Sequence, residues 1–128
     1  MVEVRFRRDS RNRLSSVVSR GHAGQAEPGE DVACAAVSAL LQAAWVGLTD
    51  VAGVEVTGRH RKGNFLMQWP EDARDRPDVH AIIATAEIAI EQIGKQNRRF
   101  VRYLRESEPE QVTRRENPGR AASKGTAR

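Results

Sequence analysis

From Val32 to Leu48 the chain runs for 17 residues without a single charge. A stretch of that kind has to be hidden from water, and its length and pattern decide how. Cys34, Val37, Leu41, Trp45 and Leu48 recur at helical spacing along one stripe. The opposite face, rich in alanine, is apolar as well. The run is short for a bilayer span, and Ser38 and Gln42 interrupt it. The reading is therefore a central helix of a globular domain, with no membrane partner. Asp31, just before the run, is placed to cap that helix.

Strand patterns surround the helix. Val2, Val4 and Phe6 alternate with Glu3, Arg5 and Arg7, which predicts a half-buried strand from Val2 to Arg8. Asp9, Ser10 and Asn12 supply turn chemistry before a second strand from Leu14 to Ser19. Gly21 to Glu30 reads as a long glycine-bearing loop. Val51 to Thr57 and Asn64 to Trp69 read as two more strands, with Gly58 to Gly63 turning between them. Asp78 opens a long helix whose stripe is Val79, Ile82, Ile83, Ala86, Ile90, Ile93, Phe100 and Leu104, with a bend at Gly94. The order β-β-α-β-β-α predicts a single α+β domain over residues 1–105, a four-stranded sheet packed with two helices. From Glu106 to Arg128 the only large aliphatic is Val112, so residues 106–128 read as a disordered tail carrying both basic and acidic groups. In 128 residues there is room for one modest core, which favours a homodimer.

Charge and cysteine content exclude several classes. Net charge is +4 and arises from 18 arginines against three lysines, six of the arginines within the first twenty residues. That balance implies at most a weak ribosome or RNA contact through basic residues. Arg98, Arg99, Arg102 and Arg105 either complement the end of the predicted helix or form a phosphate-binding patch. A lone cysteine excludes an internal disulfide framework, and no secretory pattern opens the chain, so a cytoplasmic protein is expected. His60 and His80 have no partner at ligand spacing, hence no metal is expected. Neither Gly-x-Gly-x-x-Gly nor Gly-Lys-Ser/Thr occurs, so no nucleotide or other cofactor is expected.

The chemistry concentrates between residues 21 and 38. Cys34, read as lying in the first turn of the helix, would gain from unpaired N–H groups and the dipole, which favour a thiolate and could hold an oxyanion. His22 lies on the loop before it, where Gly21, Gly24 and Gly29 let the chain fold back so that imidazole meets sulfur. A Cys/His pair of this kind is an activated nucleophile with its own general acid. Asp31 either caps the helix or orients His22. Ser38, four residues past Cys34, either bonds back to the Cys34 carbonyl or helps to hold His22 or a substrate.

The segments Gly21-His22-Ala23-Gly24 and Gly29-Glu30-Asp31-Val32-Ala33-Cys34-Ala35-Ala36-Val37-Ser38-Ala39-Leu40 closely resemble the two-part signature of the Prp ribosomal-processing cysteine proteases. The resemblance implies a small homodimeric α+β fold, His22 as catalytic histidine, Cys34 as nucleophile, and Asp31 and Ser38 as supporting positions. It also implies a client: a large-subunit ribosomal protein of the L-twenty-seven type, whose short N-terminal extension is removed after a hydrophobic, Phe-containing stretch. A different class of function fits the composition too, a non-catalytic ribosome-associated RNA-binding or assembly module with an idle Cys34. A redox sensor is disfavoured because no resolving cysteine is present.

Overall fold

The computed structural model of the protein describes residues 1–21 and 29–108. Strands β1 (Val2–Arg8) and β2 (Leu14–Gly21) pair antiparallel, with Phe6 opposite Val17 and Val4 opposite Ser19. Their turn is held by Asp9, whose Oδ1 accepts from the backbone N–H groups of Arg11 and Arg13 at 2.9 and 3.0 Å. Helix α1 (Glu30–Val46) is prolonged by a wide turn, Gly47–Val51, closed by the Ala52 N–H on the Gly47 carbonyl at 2.9 Å. Strands β3 (Thr57–Arg61) and β4 (Asn64–Gln68) form a second hairpin, and β4 pairs with β2. A short turn, Glu71–Ala73, leads to α2 (Pro77–Gln96). Strand β5 (Val101–Ser107) then runs parallel to β1, completing a five-stranded sheet in the order β3-β4-β2-β1-β5.

The α+β class stands, with one strand more than the four expected. Phe100 and Leu104 fit the helical stripe of α2, but the helix stops at Gln96. There Asn97 leaves helical geometry at φ −134, its side-chain amide donates to the Ile93 carbonyl, and its own carbonyl accepts from Phe100 and Val101. Beyond it the period-2 pattern of Val101 and Tyr103 governs. Arg102 and Arg105 are accordingly strand residues, not helix-end cations. The expected tail also begins later than 106: Glu106 and Ser107 belong to β5, Glu106 accepts from Arg7 at 2.7 Å and also pairs with Arg5, and the Glu108 N–H reaches the Arg8 carbonyl. The rest of the proposed tail, residues 109–128, lies outside the described residues. The third strand, expected at Val51 to Thr57, starts only at Thr57, because the wide turn prolonging α1 takes up the chain to Val51.

Both helices lie on one face of the sheet. Val4, Phe6 and Val17 meet Val37, Leu41 and Leu48 of the first helical segment and Val79, Ile83 and Ile90 of α2, each at most 2% exposed. Each such side chain contributes about 1.5–3 kcal/mol of burial. The segment Glu30–Val51 is long and apolar enough, by length and composition alone, to cross a membrane, yet this stripe seats it on the sheet. It is not central, however. Val32, Ala35, Ala39, Ala43 and Val46 form a stripe on its outer side that stays exposed, Val32 at 75%.

The middle of α2 is tied to the β1–β5 side of the sheet by one polar cluster. The Arg8 guanidinium grips Glu87 of α2 with two hydrogen bonds of 2.8 and 3.0 Å, and the Tyr103 hydroxyl donates to the same carboxylate at 2.7 Å. Burial first, and then that carboxylate, pushes the Tyr103 phenol well above its ordinary range.

Candidate functional site

A groove of about 240 Å³ opens between the N-terminal half of α1 and the edge formed by β2 and the β3–β4 hairpin. Cys34 lines it, half-buried, beside Ser38, with Val37, Leu41 and Phe65 supplying apolar wall. Gly21, the last residue of β2, stands on the same wall. Its φ of 137° is in the region glycine tolerates, and a Cβ there would run into the Met1 carbonyl oxygen. β2 therefore delivers the chain to the groove rim as glycine. His22 is bonded to that residue, but its own position, like that of Gly24, lies outside the described residues.

The helix start differs from the expected cap. Gly29, at φ 92°, takes the cap position with no side-chain hydrogen bond, and the helix begins at Glu30. Asp31 is the second helical residue, exposed to solvent. The first ladder bond is Ala33 N–H to the Gly29 carbonyl at 3.2 Å. Cys34 thus sits past the first turn, and none of residues 29–33 lines the groove. The free N–H groups expected to serve an oxyanion are not on its wall. Among the described residues Ser38 does not bond back to the Cys34 carbonyl: its oxygen accepts from Gln42 at 2.8 Å, while its position keeps it on the groove with Cys34.

The described surroundings push the Cys34 thiol up, against the downward shift expected. Burial is the largest cause, the Glu30 carboxylate follows, the Met1 ammonium opposes, and Asp31 adds to the rise. Glu30 is buried and pairs with the Met1 ammonium at 2.8 Å. Burial and the two carboxylates of the opening turn act together against the thiolate that the position was expected to favour. A thiolate near neutral pH therefore needs a cation from elsewhere.

The hairpin side of the groove escaped sequence reasoning. His60 was assigned to a turn, but it is a β3 residue facing Phe65 across the ladder, ring centroids 5.5 Å apart, and Phe65 meets Trp45 edge-on at 5.8 Å. β3 reads Thr-Gly-Arg-His-Arg, exposed throughout, so no apolar alternation marks it. The Asn-Phe-Leu-Met-Gln pattern of β4 was the only signal that a partner strand must lie beside it. Among the described residues no group of acidic, histidine or cysteine side chains could hold a metal ion.

A family model described as cysteine protease Prp matches residues 1–102. No curated protein matches the sequence. Among solved structures, the essential ribosomal processing protease Prp from Staphylococcus aureus in complex with a substrate peptide is 19% identical at a TM-score of 0.74, covering 82% of this chain and 99% of its own. The same protease with a covalently linked product peptide gives a TM-score of 0.71 at 19% identity, with the same coverage of 82% and 99%. SMU.848 from Streptococcus mutans is 24% identical at a TM-score of 0.71, covering 84% of this chain and 96% of its own.

Proposed function

Since the chain belongs to the cysteine protease Prp family, matched over residues 1–102, we propose that it removes a short N-terminal extension from a large-subunit ribosomal protein of the L-twenty-seven type, with Cys34 as nucleophile and His22 as its proton partner. The observation that carries this reading is that Cys34 and Gly21, the residue bonded to His22, line one groove. His22 takes the thiol proton and the resulting imidazolium offsets Glu30 and Asp31. The sulfur attacks the scissile carbonyl carbon, the C–N bond breaks as His22 returns the proton to the leaving amine, and water then releases the acyl group from sulfur. The S. aureus relative is known with a covalently linked product peptide, the kind of adduct such a route forms.

The wall of Val37, Leu41 and Phe65 suits an apolar residue of the extension. Ser38 serves as a supporting position by its place on that wall, and Asp31 as a carboxylate that orients His22. Gly21, on the groove rim, and Gly29, at the start of α1, bound the segment that carries His22 and Gly24. A two-fold dimer covers the exposed stripe of Val32, Ala35, Ala39, Ala43 and Val46; light scattering should return about twice the chain mass, and a monomer would contradict it. A ribosomal client would set the protein to work in the cytoplasm, and the dyad chemistry calls on no cofactor.

The test is cleavage of a peptide copied from the extension of the ribosomal protein made by the same cell. Wild-type protein should cut it, Cys34→Ser and Cys34→Ala should not, and Ser38→Ala and Asp31→Ala should slow it less. Cleavage by Cys34→Ser at the wild-type rate would contradict the mechanism.

A further inference from the structure

The groove beside Cys34 carries positive charge along its hairpin side. Arg20 near the end of β2, Arg61 at the end of β3 and Lys62 in the turn that follows all line it, and all three are exposed. No aspartate or glutamate is among its described lining residues. None of the three cations has a carboxylate partner among the described residues. On β1 the same residue type is neutralised: Arg5 and Arg7 pair with Glu106, and Arg8 with Glu87. Arg20 and Arg61 both stand opposite Asn64 of β4. Two strand spacings separate them, about 10 Å at the backbone, so two guanidinium arms can converge on one carboxylate.

Two roles are open to such a set of cations: holding the Cys34 thiolate, or holding something that enters the groove. The first is not theirs. The thiol is shifted by burial, Glu30, the Met1 ammonium and Asp31, and none of the three cations is among these causes. Their charge is left for a ligand, and the rest of the groove limits what that ligand can be. Val37, Leu41 and Phe65 make its other wall apolar, so the occupant has to present apolar surface on one side and negative charge on the other. An extended peptide does both, because its successive side chains point to opposite sides. A nucleic-acid backbone is anionic along its whole length and leaves the apolar wall unused. We propose that the groove selects substrate peptides that carry a glutamate or aspartate within a few residues of the cleaved bond, held by Arg20, Arg61 and Lys62. This selectivity rests on the protease reading above and defines its substrate class: an apolar residue against Val37, Leu41 and Phe65, with a carboxylate close by in the sequence.

The test uses the full chain as its Cys34→Ala variant, which can bind without cutting. The probes are fluorescein-labelled peptides copied from the ribosomal extension, with glutamate, glutamine or lysine placed in turn at each position flanking the cleaved bond, and binding is followed by anisotropy. At one or more positions the glutamate peptide should bind about tenfold tighter than the lysine peptide at low salt, as three partly exposed attractions together would give, and the ratio should shrink as salt is added. Adding Arg20→Gln, Arg61→Gln and Lys62→Gln together should bring that ratio close to one. Arg61→Glu alone, at an exposed edge-strand position, should lower the ratio several-fold while circular dichroism stays unchanged. A charge-matched triple on other surfaces, Arg11→Gln, Arg98→Gln, Arg105→Gln, should keep the ratio. No peptide binding, equal affinity at every position, a preference for lysine, equal losses from both triples, or displacement of the glutamate peptide by a short RNA more readily than by its unlabelled copy would overturn the proposal. Cleavage by the parent chain is read separately. A chain that cuts without acidic preference refutes this selectivity and leaves the protease reading standing, whereas a chain that prefers the glutamate peptide but cuts none refutes the protease reading alone.

Discussion

Replacing Glu87 with leucine strands two groups at once. The Arg8 guanidinium, whose side chain is 11% exposed, loses both its hydrogen bonds, and the Tyr103 hydroxyl loses its acceptor. An uncompensated buried charge of this kind costs about 3–5 kcal/mol, a large fraction of the roughly 5–15 kcal/mol that holds a domain together. With a urea m-value of about 2 kcal/mol/M the midpoint should fall by roughly 2 M. Tyr103→Phe removes only one hydrogen bond to a charged acceptor and should cost about 1.5–3 kcal/mol. The combined variant Arg8→Met, Glu87→Leu, Tyr103→Phe leaves nothing buried and unpaired, so it should recover to near parental stability or above it. Urea unfolding followed by the fluorescence of Trp45 and Trp69 reads all three. A loss below about 1 kcal/mol for Glu87→Leu, or a combined variant no better than Glu87→Leu alone, would refute the reasoning.

Further expectations concern the site and the sheet edge. Glu30→Gln removes a carboxylate that raises the Cys34 thiol, so the thiolate should form at lower pH and alkylation by iodoacetamide should quicken at a fixed neutral pH; unchanged reactivity would mean that the carboxylate does not act on the sulfur. Leu41→Ala, at a side chain 2% exposed beneath the groove, should cost about 2–5 kcal/mol, measured as a fall in the urea midpoint. Ending the chain after Arg105 should lower that midpoint more than ending it after Glu108, because only the first truncation removes the Glu106 pairs with Arg5 and Arg7.

Much of the architecture was legible because period and polarity agreed. The β1–β2 hairpin shows strict alternation with turn residues at its tip, and the charge-free run marks α1 to within two residues at either end. Misreadings came where two patterns overlapped. Val101 to Leu104 satisfies both a helical stripe and a strand, and only the Asn97 stop decides between them. β3 has no apolar face to read, since Gly58 and His60 are its only inward residues, so its start was misplaced and His60 was missed as groove wall. At the site, Cys34 and Ser38 share a groove as one helical turn of spacing implies, and Gly21, expected to open the loop, is instead the last residue of β2 on the same wall. The direction of the thiol's shift was misjudged because its two largest raising causes, burial of the sulfur and the Glu30 carboxylate, depend on how the helix seats on the sheet. Arg20 and Arg61 of the groove wall were missed for another reason: which strands become neighbours decides what lines the groove, and sequence order does not give that.

The most direct test of the account is the pH dependence of Cys34 alkylation in the parent and in His22→Ala. The described groups alone raise the thiol, so reactivity near neutral pH has to come from His22. The parent should alkylate with a plateau reaching down to about neutral pH, and His22→Ala should react appreciably only above the ordinary thiol range near pH ~8.5. Identical profiles for the two proteins, both rising only above that range, would contradict the claim that Cys34 is a nucleophile activated by His22.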